Sequence, residues 1–248
     1  MFLSIFGENL DLLAMPNPYF QFKQFTVWHD KCAMKVGTDG VLLGAWADVS
    51  DVCSVLDIGT GTGLVALMIA QRCRAHIMAV EVDSDAVEQA KENVSRSPWQ
   101  DRIEVVQEDF INFHLVKKFD LIVSNPPYFV DSQQCPDEQR TMARHAGNLT
   151  YWDLVEKASK LLSENGRFSL IIPTEAVESI QGFASRNGLY LIKKTYVITK
   201  PDALPKRALL SFSFRQTGYK EDELLVEMAR HQYSKEYIEL TKEFYLKM

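Results

Sequence analysis

The sequence predicts an α/β fold in which helices cover both faces of a mainly parallel sheet. Short apolar runs alternate with helical patterns over residues 52–124, and this alternation is typical of consecutive β-α-β units. Several of these runs end in an acid or an amide, and parallel strands would bring such residues to one edge of the sheet. With 248 residues, 46% of them hydrophobic, the chain can form one large core, so a single domain is expected.

The segment before the first core strand divides into two parts. Residues 1–18 are interpreted as an N-terminal extension that need not be ordered, and Met15 is an alternative start. Glu8 and Asp11 interrupt the apolar beginning of the chain, which argues against a signal peptide or a membrane span. Residues 19–50 are interpreted as a lid over a ligand site. Within it, aromatic and β-branched residues at 22–28 predict a hairpin, and residues 41–47 predict an apolar helix.

A glycine-rich loop follows the first core strand, predicted at 53–56. Glycine accepts positive φ and lets the backbone approach a ligand closely. A dinucleotide-binding fingerprint would have a small residue where this chain has Leu64, and Asp57 before the loop would repel a phosphate. The cationic sulfonium and ammonium groups of S-adenosylmethionine fit such an acid, so the loop is predicted to hold this methyl donor; a glycine turn without a ligand is the alternative. The loop consists of Gly59, Thr60, Gly61, Thr62 and Gly63.

Three more apolar strands are predicted, at 77–80, 103–106 and 121–124, and each is closely followed by a polar side chain. These side chains are Glu81, Asp109 and Asn125. Glu81 lies 22 residues after Gly59, about where a β-α-β unit places a carboxylate for ribose hydroxyls. The alternatives are surface acids at turns and, for Asp109, a helix cap. The intervening helices are predicted at 62–72, at 85–95 and, more weakly, at 111–116.

The fourth strand runs directly into the motif Asn125, Pro126, Pro127 and Tyr128. Together with the glycine loop, this motif resembles Rossmann-type S-adenosylmethionine-dependent methyltransferases that modify planar nitrogens. The segments FKQF at 22–25 and CAMKVGTDGVLLGAW at 32–46 are similar to those of the bacterial tRNA(Val) N6-adenine methyltransferases, and the resemblance extends over residues 22–246. It implies a seven-stranded Rossmann-like sheet with the last strand antiparallel, S-adenosylmethionine as cofactor, and adenosine 37 of valine tRNA as substrate. A rigid turn without a catalytic role is the alternative for the motif.

The resemblance also implies roles for individual residues. The side chain of Asn125 and the carbonyl of Pro126 would accept hydrogen bonds from the target amine, and the prolines would hold both acceptors in place. Tyr128 would stack on the base. Asp39 would meet the donor's ammonium, although helix capping is an alternative for Asp39 and its neighbour Thr38. The donor-binding set is Lys35, Thr38, Asp39, Asp57, Gly59, Thr60, Gly61, Thr62, Gly63, Glu81, Asp109, Phe110 and Asn125.

The charge of the chain limits how RNA could bind. The net charge is −6 and the isoelectric point about 5.5, so any contact with phosphates must be local. The most basic segment is 199–207, although lysines there could instead prevent sheet-to-sheet aggregation. A second segment, the polar loop at 131–148, carries Arg140, Arg144 and His145. Arg144 is a candidate substrate contact, with an ordinary solvated arginine as the alternative, and His145 is interpreted as structural. The expected RNA contacts are Arg140, Arg144, Lys200, Lys206 and Arg207.

The C-terminal half completes the predicted sheet. Its predicted elements are a helix at 151–162 ended by Asn165-Gly166, a strand at 168–172, a helix at 175–186, an antiparallel pair at 189–198 and 208–214, and a closing helix at 234–246 with a buried aromatic face. Cys32, Cys53, Cys73 and Cys135 form no metal-binding or CxxC spacing, which predicts reduced thiols, no metal site and a cytoplasmic location. A monomer is favoured.

Other functions remain open from the sequence. A glutamine N5-methyltransferase acting on a protein such as a release factor shares the NPPY motif but usually has a longer helical N-terminal domain. A DNA adenine methyltransferase would need a recognition domain, for which the chain has no obvious segment. A catalytically silent RNA-binding scaffold would not need the strand-end acids.

Overall fold

A mixed sheet of eight strands positions the candidate site. The computed structural model describes residues 17–32, 35–127, 149–230 and 232–247. The strands are β1 (Tyr19–Gln21), β2 (Thr26–Trp28), β3 (Ser54–Ile58), β4 (His76–Glu81), β5 (Ile103–Gln107), β6 (Phe119–Ser124), β7 (Leu162–Pro173), β8 (Tyr190–Ile198), β9 (Arg207–Ser213), β10 (Lys220–Leu225), β11 (Glu227–Ala229) and β12 (Gln232–Tyr233). The helices are α1 (Thr38–Trp46), α2 (Leu64–Arg72), α3 (Ser84–Ser95), α4 (Tyr151–Leu161), α5 (Val177–Arg186) and α6 (Lys235–Thr241).

The order of the strands in the main sheet is β10-β8-β9-β7-β6-β3-β4-β5. The five strands from β7 to β5 are parallel, β9 is antiparallel to both of its neighbours, and β10 pairs with β8 in parallel. The predicted parallel sheet is therefore confirmed, and the strand predicted last, at 208–214, is antiparallel as expected, although β10 follows it at the edge. The parallel β-α-β crossovers place the glycine loop and the other strand ends at one edge.

The predicted count of seven strands is wrong by one, because β10 forms an additional edge strand. Its first four residues are charged and exposed, so no apolar alternation indicated a strand. Pairing with β8 stabilises this strand instead. The contacts include an ion pair of 3.0 Å between Lys194 and Glu221 and a hydrogen bond between Thr195 and Asp222. Charged residues on an edge strand also discourage pairing with another sheet.

Helices cover both faces of the sheet, as predicted. On one face, α1, α2 and α6 contribute to a core that includes Leu43, Leu67 and Tyr237. On the other face, α4 and α5 contribute to a second core that includes Leu154 and Ile180. Each helix buries an apolar side chain against the sheet, which is the main driving force for this layered arrangement.

The predicted N-terminal hairpin forms and packs against the C-terminal segment, but it begins at Tyr19 instead of Phe22, and residues 22–25 connect its two strands. Strands β1 and β2 are antiparallel, and the Lys23 backbone N–H donates to the carbonyl of Phe244 at 2.8 Å. The closing helix is shorter than predicted, since α6 ends at Thr241. Phe244 is nevertheless buried and Tyr245 lies against Phe22, so the prediction of an aromatic core there is confirmed.

Two predictions about helices are wrong, namely the helix at 111–116 and the stop signal at Asn165-Gly166. No helix forms at 111–116, because the side chain of Asp109 accepts the N–H of Ile111 and shapes a turn instead. Asn165-Gly166 does not end a helix: α4 ends at Leu161 and β7 runs through both residues. Glycine is required at position 166 for packing, because a Cβ there would lie 2.9 Å from the Phe119 carbonyl oxygen.

Candidate active site

The carboxyl ends of three neighbouring strands meet at the candidate site. Strand β3 lies between β4 and β6, and Ile58 is level with Val80 on one side and with Ser124 on the other. The glycine loop after β3, Glu81 at the end of β4 and Asn125 after β6 therefore share one edge of the sheet. This convergence was predicted from the polar residues that follow the apolar runs.

The backbone of the glycine loop requires glycine at every second position. Gly59, Gly61 and Gly63 have φ angles of +68°, +55° and +81°, which side chains with a Cβ rarely adopt. The N–H groups of Gly59 and Thr60 both donate to the Val80 carbonyl, at 2.9 and 3.1 Å. A Cβ on Gly59 or Gly61 would meet no atom within 4 Å, so the space in front of the loop is open to a ligand.

Asp57 supports this loop from its buried side. It is 1% exposed, and its Oδ2 accepts hydrogen bonds from the Thr60 hydroxyl at 2.6 Å and from the Ala66 N–H at 3.1 Å. Burial raises the pKa of Asp57 to about 7, although these two hydrogen bonds favour the carboxylate. A cationic ligand in front of the loop would favour the carboxylate further. In this geometry Asp57 supports the loop backbone, and its assignment to the methyl donor stays a prediction.

Glu81 joins the glycine loop to the turn before α3. Its Oε2 accepts the N–H of Gly61 at 2.8 Å, and its Oε1 accepts the N–H groups of Val82 and Asp83 at 2.9 and 3.1 Å. A carboxylate offers about four lone-pair sites, so Oε2 keeps capacity for a further donor such as a hydroxyl. The assignment of Glu81 to ribose stays a prediction.

Asp109 and Phe110 lie beyond the end of β5. Asp109 accepts from the Ile111 N–H at 2.9 Å and from the Asn112 side chain at 3.0 Å, so it stabilises its own turn. Phe110 is buried and stacks on Phe113. The helix-cap alternative for Asp109 is wrong, because the described residues directly after it form no helix. One carboxylate can accept several donors, so the assignment of Asp109 to the methyl donor stays a prediction.

Two residues near this turn were missed by sequence reasoning. The ammonium of Lys157, on α4, donates to the Ile111 carbonyl at 2.5 Å and lies 5.4 Å from the centre of the Phe110 ring, so it helps to position the turn. Val82 is 63% exposed directly after Glu81, and it offers an apolar surface beside the glycine loop. Val82 could have been found from the sequence, because it is an apolar residue directly after a strand-end acid. Lys157 could not, because its contact with Ile111 joins residues that are 46 positions apart.

The segment after β6 is tied to the glycine-loop strand. The Ser124 hydroxyl, which is buried, donates to the Ile58 carbonyl at 3.0 Å. Asn125 is half-buried, Pro126 is buried and Pro127 is exposed. Among the described residues, none forms a hydrogen bond with the Asn125 side chain, so its amide is open to an external donor or acceptor. A rigid backbone with an available amide is suited to holding a planar nitrogen.

The start of α1 borders the site from another side. The N-cap is Gly37 and no side chain caps the helix, so neither Thr38 nor Asp39 has the alternative capping role. Asp39 accepts a hydrogen bond from the Arg207 Nε at 2.8 Å, which links the predicted donor-binding segment to the predicted RNA-binding segment. Lys35 and Thr38 are exposed. The interpretation of residues 19–50 as a lid stays a prediction.

The predicted RNA contacts divide into two groups. Arg140 and Arg144 lie outside the described residues, as do Tyr128 of the predicted catalytic motif and His145, which was interpreted as structural. Lys200 and Lys206 are exposed on the loop between β8 and β9, and Arg207 is half-buried. Within the described ranges, no group of three or more His, Cys, Asp and Glu side chains could hold a metal ion, and no helix is long and apolar enough to cross a membrane.

The fold and the site together define a class I S-adenosylmethionine-dependent methyltransferase. The residues fit this cofactor, since the glycine loop leaves open space where a Cβ would otherwise project. The family model described as methyltransferase small domain matches residues 41–178. The chain belongs to this family and, within it, to the tRNA1(Val) (adenine(37)-N6)-methyltransferases.

Curated relatives with this name cover nearly the whole chain. The protein from Bacteroides fragilis (strain YCH46) is 60% identical over 237 residues, which are 94% of this chain and 100% of that protein. The protein from Parabacteroides distasonis is 50% identical over 94% of this chain and 100% of its own length. The protein from Tolumonas auensis is 45% identical over 92% of this chain and 97% of its own length.

Solved structures share the fold at low sequence identity. A predicted O-methyltransferase from Agrobacterium tumefaciens is 20% identical, with a TM-score of 0.63 over 83% of this chain and 96% of its own. The glycopeptide N-methyltransferase MtfA complexed with S-adenosylmethionine is 14% identical, with a TM-score of 0.53 over 73% of this chain and 100% of its own. At these identities the likeness shows the fold alone.

Proposed function

We propose that the enzyme transfers a methyl group from S-adenosylmethionine to N6 of adenosine 37 in valine tRNA. The main support is the position of Asn125 and Pro126 beside the glycine loop, at the ends of two paired strands. The name of the curated relatives supports the choice of tRNA and nucleotide. The same proposal places the enzyme in the cytoplasm, acting as a monomer without a metal ion.

Asn125 and Pro126 would hold the target amine. The Asn125 side-chain oxygen and the Pro126 carbonyl oxygen accept hydrogen bonds from the two N–H groups of the exocyclic amine, whose lone pair is otherwise delocalised into the ring. These bonds favour a tetrahedral nitrogen with an available lone pair, and fixed acceptors reduce the cost of orienting it. S-adenosylmethionine supplies an electrophilic methyl group when bound. The alkylated nitrogen is acidic and loses its proton to water, so a strong base is not required.

The target adenosine has to leave its stacked position to reach these acceptors. Unstacking costs less in a single-stranded loop than in a duplex, which favours an anticodon loop as substrate. Tyr128, outside the described residues, is proposed to stack on the turned-out base. Proline fixes φ, so Pro126 and Pro127 hold the acceptors in place before the base arrives.

Labelled methyl transfer tests the proposal directly. The enzyme is incubated with labelled S-adenosylmethionine and unmodified valine tRNA, the RNA is digested to nucleosides, and release factor is assayed in parallel. We expect the label in N6-methyladenosine, and loss of the label when adenosine 37 is replaced by guanosine. Label in the release factor alone would contradict the proposal and support glutamine N5-methylation.

Lys200 and Lys206 are proposed to bind phosphates of the tRNA. Both are exposed on the loop between β8 and β9, which lies at the same edge of the sheet as Asn125, because Arg207 at the start of β9 pairs with Pro173 at the end of β7. This local basic loop could bind RNA despite the overall negative charge. Arg207 is pairing with Asp39, so its replacement would also disturb α1.

Replacement of Lys200 and Lys206 by glutamate is expected to weaken tRNA binding about 10- to 100-fold at moderate salt. Each lost phosphate contact lowers the slope of log affinity against log salt by about 0.7–0.9, so the double variant is expected to lower it by about 1.5. The measurement is tRNA affinity at several salt concentrations. The matched control replaces Lys117 and Lys118, which are exposed before β6 at the opposite edge of the sheet. An equal effect of both double variants would show that the loop is not the RNA site.

A further inference from the structure

The loop between β8 and β9, residues 199–206, presents an exposed leucine between its lysines. Leu204 is 84% exposed, whereas Ala203 and Pro205 beside it are only half-exposed. A single exposed leucine on a protein surface needs no explanation by itself. The conformation of this loop and its position in the fold distinguish Leu204 from other exposed apolar residues.

The loop has a defined shape. The Ala203 N–H donates to the Lys200 carbonyl at 3.2 Å, with Pro201 next and Asp202 at φ +63°, which are the features of a type II turn. Asp202 stands where such a turn normally has glycine. A non-glycine residue is uncommon in this conformation, and Pro201 has a fixed φ that reduces the freedom of the turn.

Both ends of the loop are anchored to neighbouring elements. The Thr174 hydroxyl donates to the Pro205 carbonyl at 2.8 Å, and the Thr174 N–H donates to the Lys206 carbonyl at 3.3 Å. At the other end, the Glu227 N–H donates to the Thr199 carbonyl at 3.1 Å. Leu204, which follows the turn, is therefore exposed on a short loop that is anchored at both ends.

The loop lies close to the segment that would hold the target base. Ser124 at the end of β6 is level with Leu170 of β7, whereas Arg207 at the start of β9 is level with Pro173, three residues further along. With strands about 4.8 Å apart and about 3.3 Å per residue, Arg207 lies roughly 14 Å from Ser124. Asn125 directly follows β6. Stacked nucleotides are spaced about 3.4 Å along a strand, so the loop is within reach of the nucleotides beside the target.

We propose that Leu204 inserts into the RNA stack beside the target adenosine and occupies the gap that forms when this base turns toward Asn125. The inference rests on the proposed function, and it identifies an RNA-contacting residue that stabilises the unstacked state. Apolar side chains that enter base steps are known devices for unstacking nucleic acids. Lys200 and Lys206 on either side would hold the adjacent phosphates, so the loop combines charge with an apolar tip.

The test uses an anticodon stem-loop of valine tRNA with 2-aminopurine in place of the target adenosine, because the fluorescence of this base rises when it leaves the stack. Wild-type enzyme is expected to raise the fluorescence severalfold, and Leu204→Ala to give less than a third of that rise. On unmodified tRNA, Leu204→Ala is expected to lower kcat/KM about 10- to 50-fold, with S-adenosylmethionine affinity within twofold of wild type. Leu204→Met, which keeps the apolar bulk, should stay within threefold of wild type in kcat/KM.

Val116→Ala is the matched control, because Val116 is 98% exposed and lies before β6 at the opposite edge of the sheet. This variant should equal wild type in fluorescence and in turnover. A substrate with an abasic site next to the target adenosine adds a readout that a purely structural role would not change. Its target is already poorly stacked, so the ratio of wild-type to Leu204→Ala turnover should fall toward one.

Three results would overturn the inference. Equal fluorescence and turnover for Leu204→Ala and wild type would refute insertion while leaving tRNA methylation intact. A loss of S-adenosylmethionine affinity as large as the loss of turnover would place the effect in the donor site. Wild-type enzyme that methylates no tRNA at all would refute the proposed function and this inference together.

Discussion

Replacement of Asn125 by alanine is expected to reduce the rate of methyl transfer by about 100- to 1,000-fold, while S-adenosylmethionine affinity stays within about threefold of wild type. The estimate corresponds to the loss of one preorganised hydrogen-bonding group from a reaction centre. The Asn125 amide follows β6, has no hydrogen-bond partner among the described residues, and is expected to contact the target amine more than the donor. The measurement is single-turnover methylation of tRNA beside donor binding by calorimetry.

Two variants sharpen this prediction. Asn125→Asp keeps a side-chain oxygen that can accept from the amine, so it should retain more activity than Asn125→Ala. Asn165→Ala is the matched control, since Asn165 is exposed in the first part of β7, at the opposite edge of the sheet. Near-normal turnover in Asn125→Ala, or a parallel collapse of donor affinity, would refute the assignment of Asn125 to the target amine.

Replacement of Gly61 by alanine is expected to weaken S-adenosylmethionine binding by roughly 10- to 100-fold, which corresponds to about 1.4–2.8 kcal/mol. The φ angle of Gly61 is +55°, and a Cβ there would project into the open space in front of the loop. A methyl group in that space would crowd the donor. Strain would also displace the N–H that Gly61 donates to Glu81. Calorimetry with S-adenosylmethionine measures the effect.

Gly188 provides the matched control for backbone strain. Its φ is +76°, and it lies after α5 at the opposite edge of the sheet from the glycine loop. Alanine at either position should lower the free energy of unfolding by about 1–2 kcal/mol, because both positions are left-handed. Only Gly61→Ala should lose donor affinity. If Gly188→Ala lost as much donor affinity as Gly61→Ala, the glycine loop would not be the donor site.

The predictions from sequence were most successful where the signal was local. Apolar runs, the glycine loop and the polar residues after each strand are contained in short windows, so the parallel sheet and the convergence of Glu81 and Asn125 followed from them. The errors arose where pairing outweighed the local pattern. Strand β10 is charged and exposed, and Gly166 serves packing against Phe119 instead of ending a helix.

The sequence by itself determined the seven strands from β3 to β9, the positions of the loop glycines and the motif that identifies the family, because each depends on neighbouring residues. Only the tertiary structure decided that Asp39 contacts Arg207, 168 residues away, and that Asp57 faces inward and supports the loop. It also decided that Leu204 is exposed on an anchored loop at the same edge of the sheet as Asn125. These contacts depend on how distant segments pack, and such packing leaves no periodic signal in the sequence.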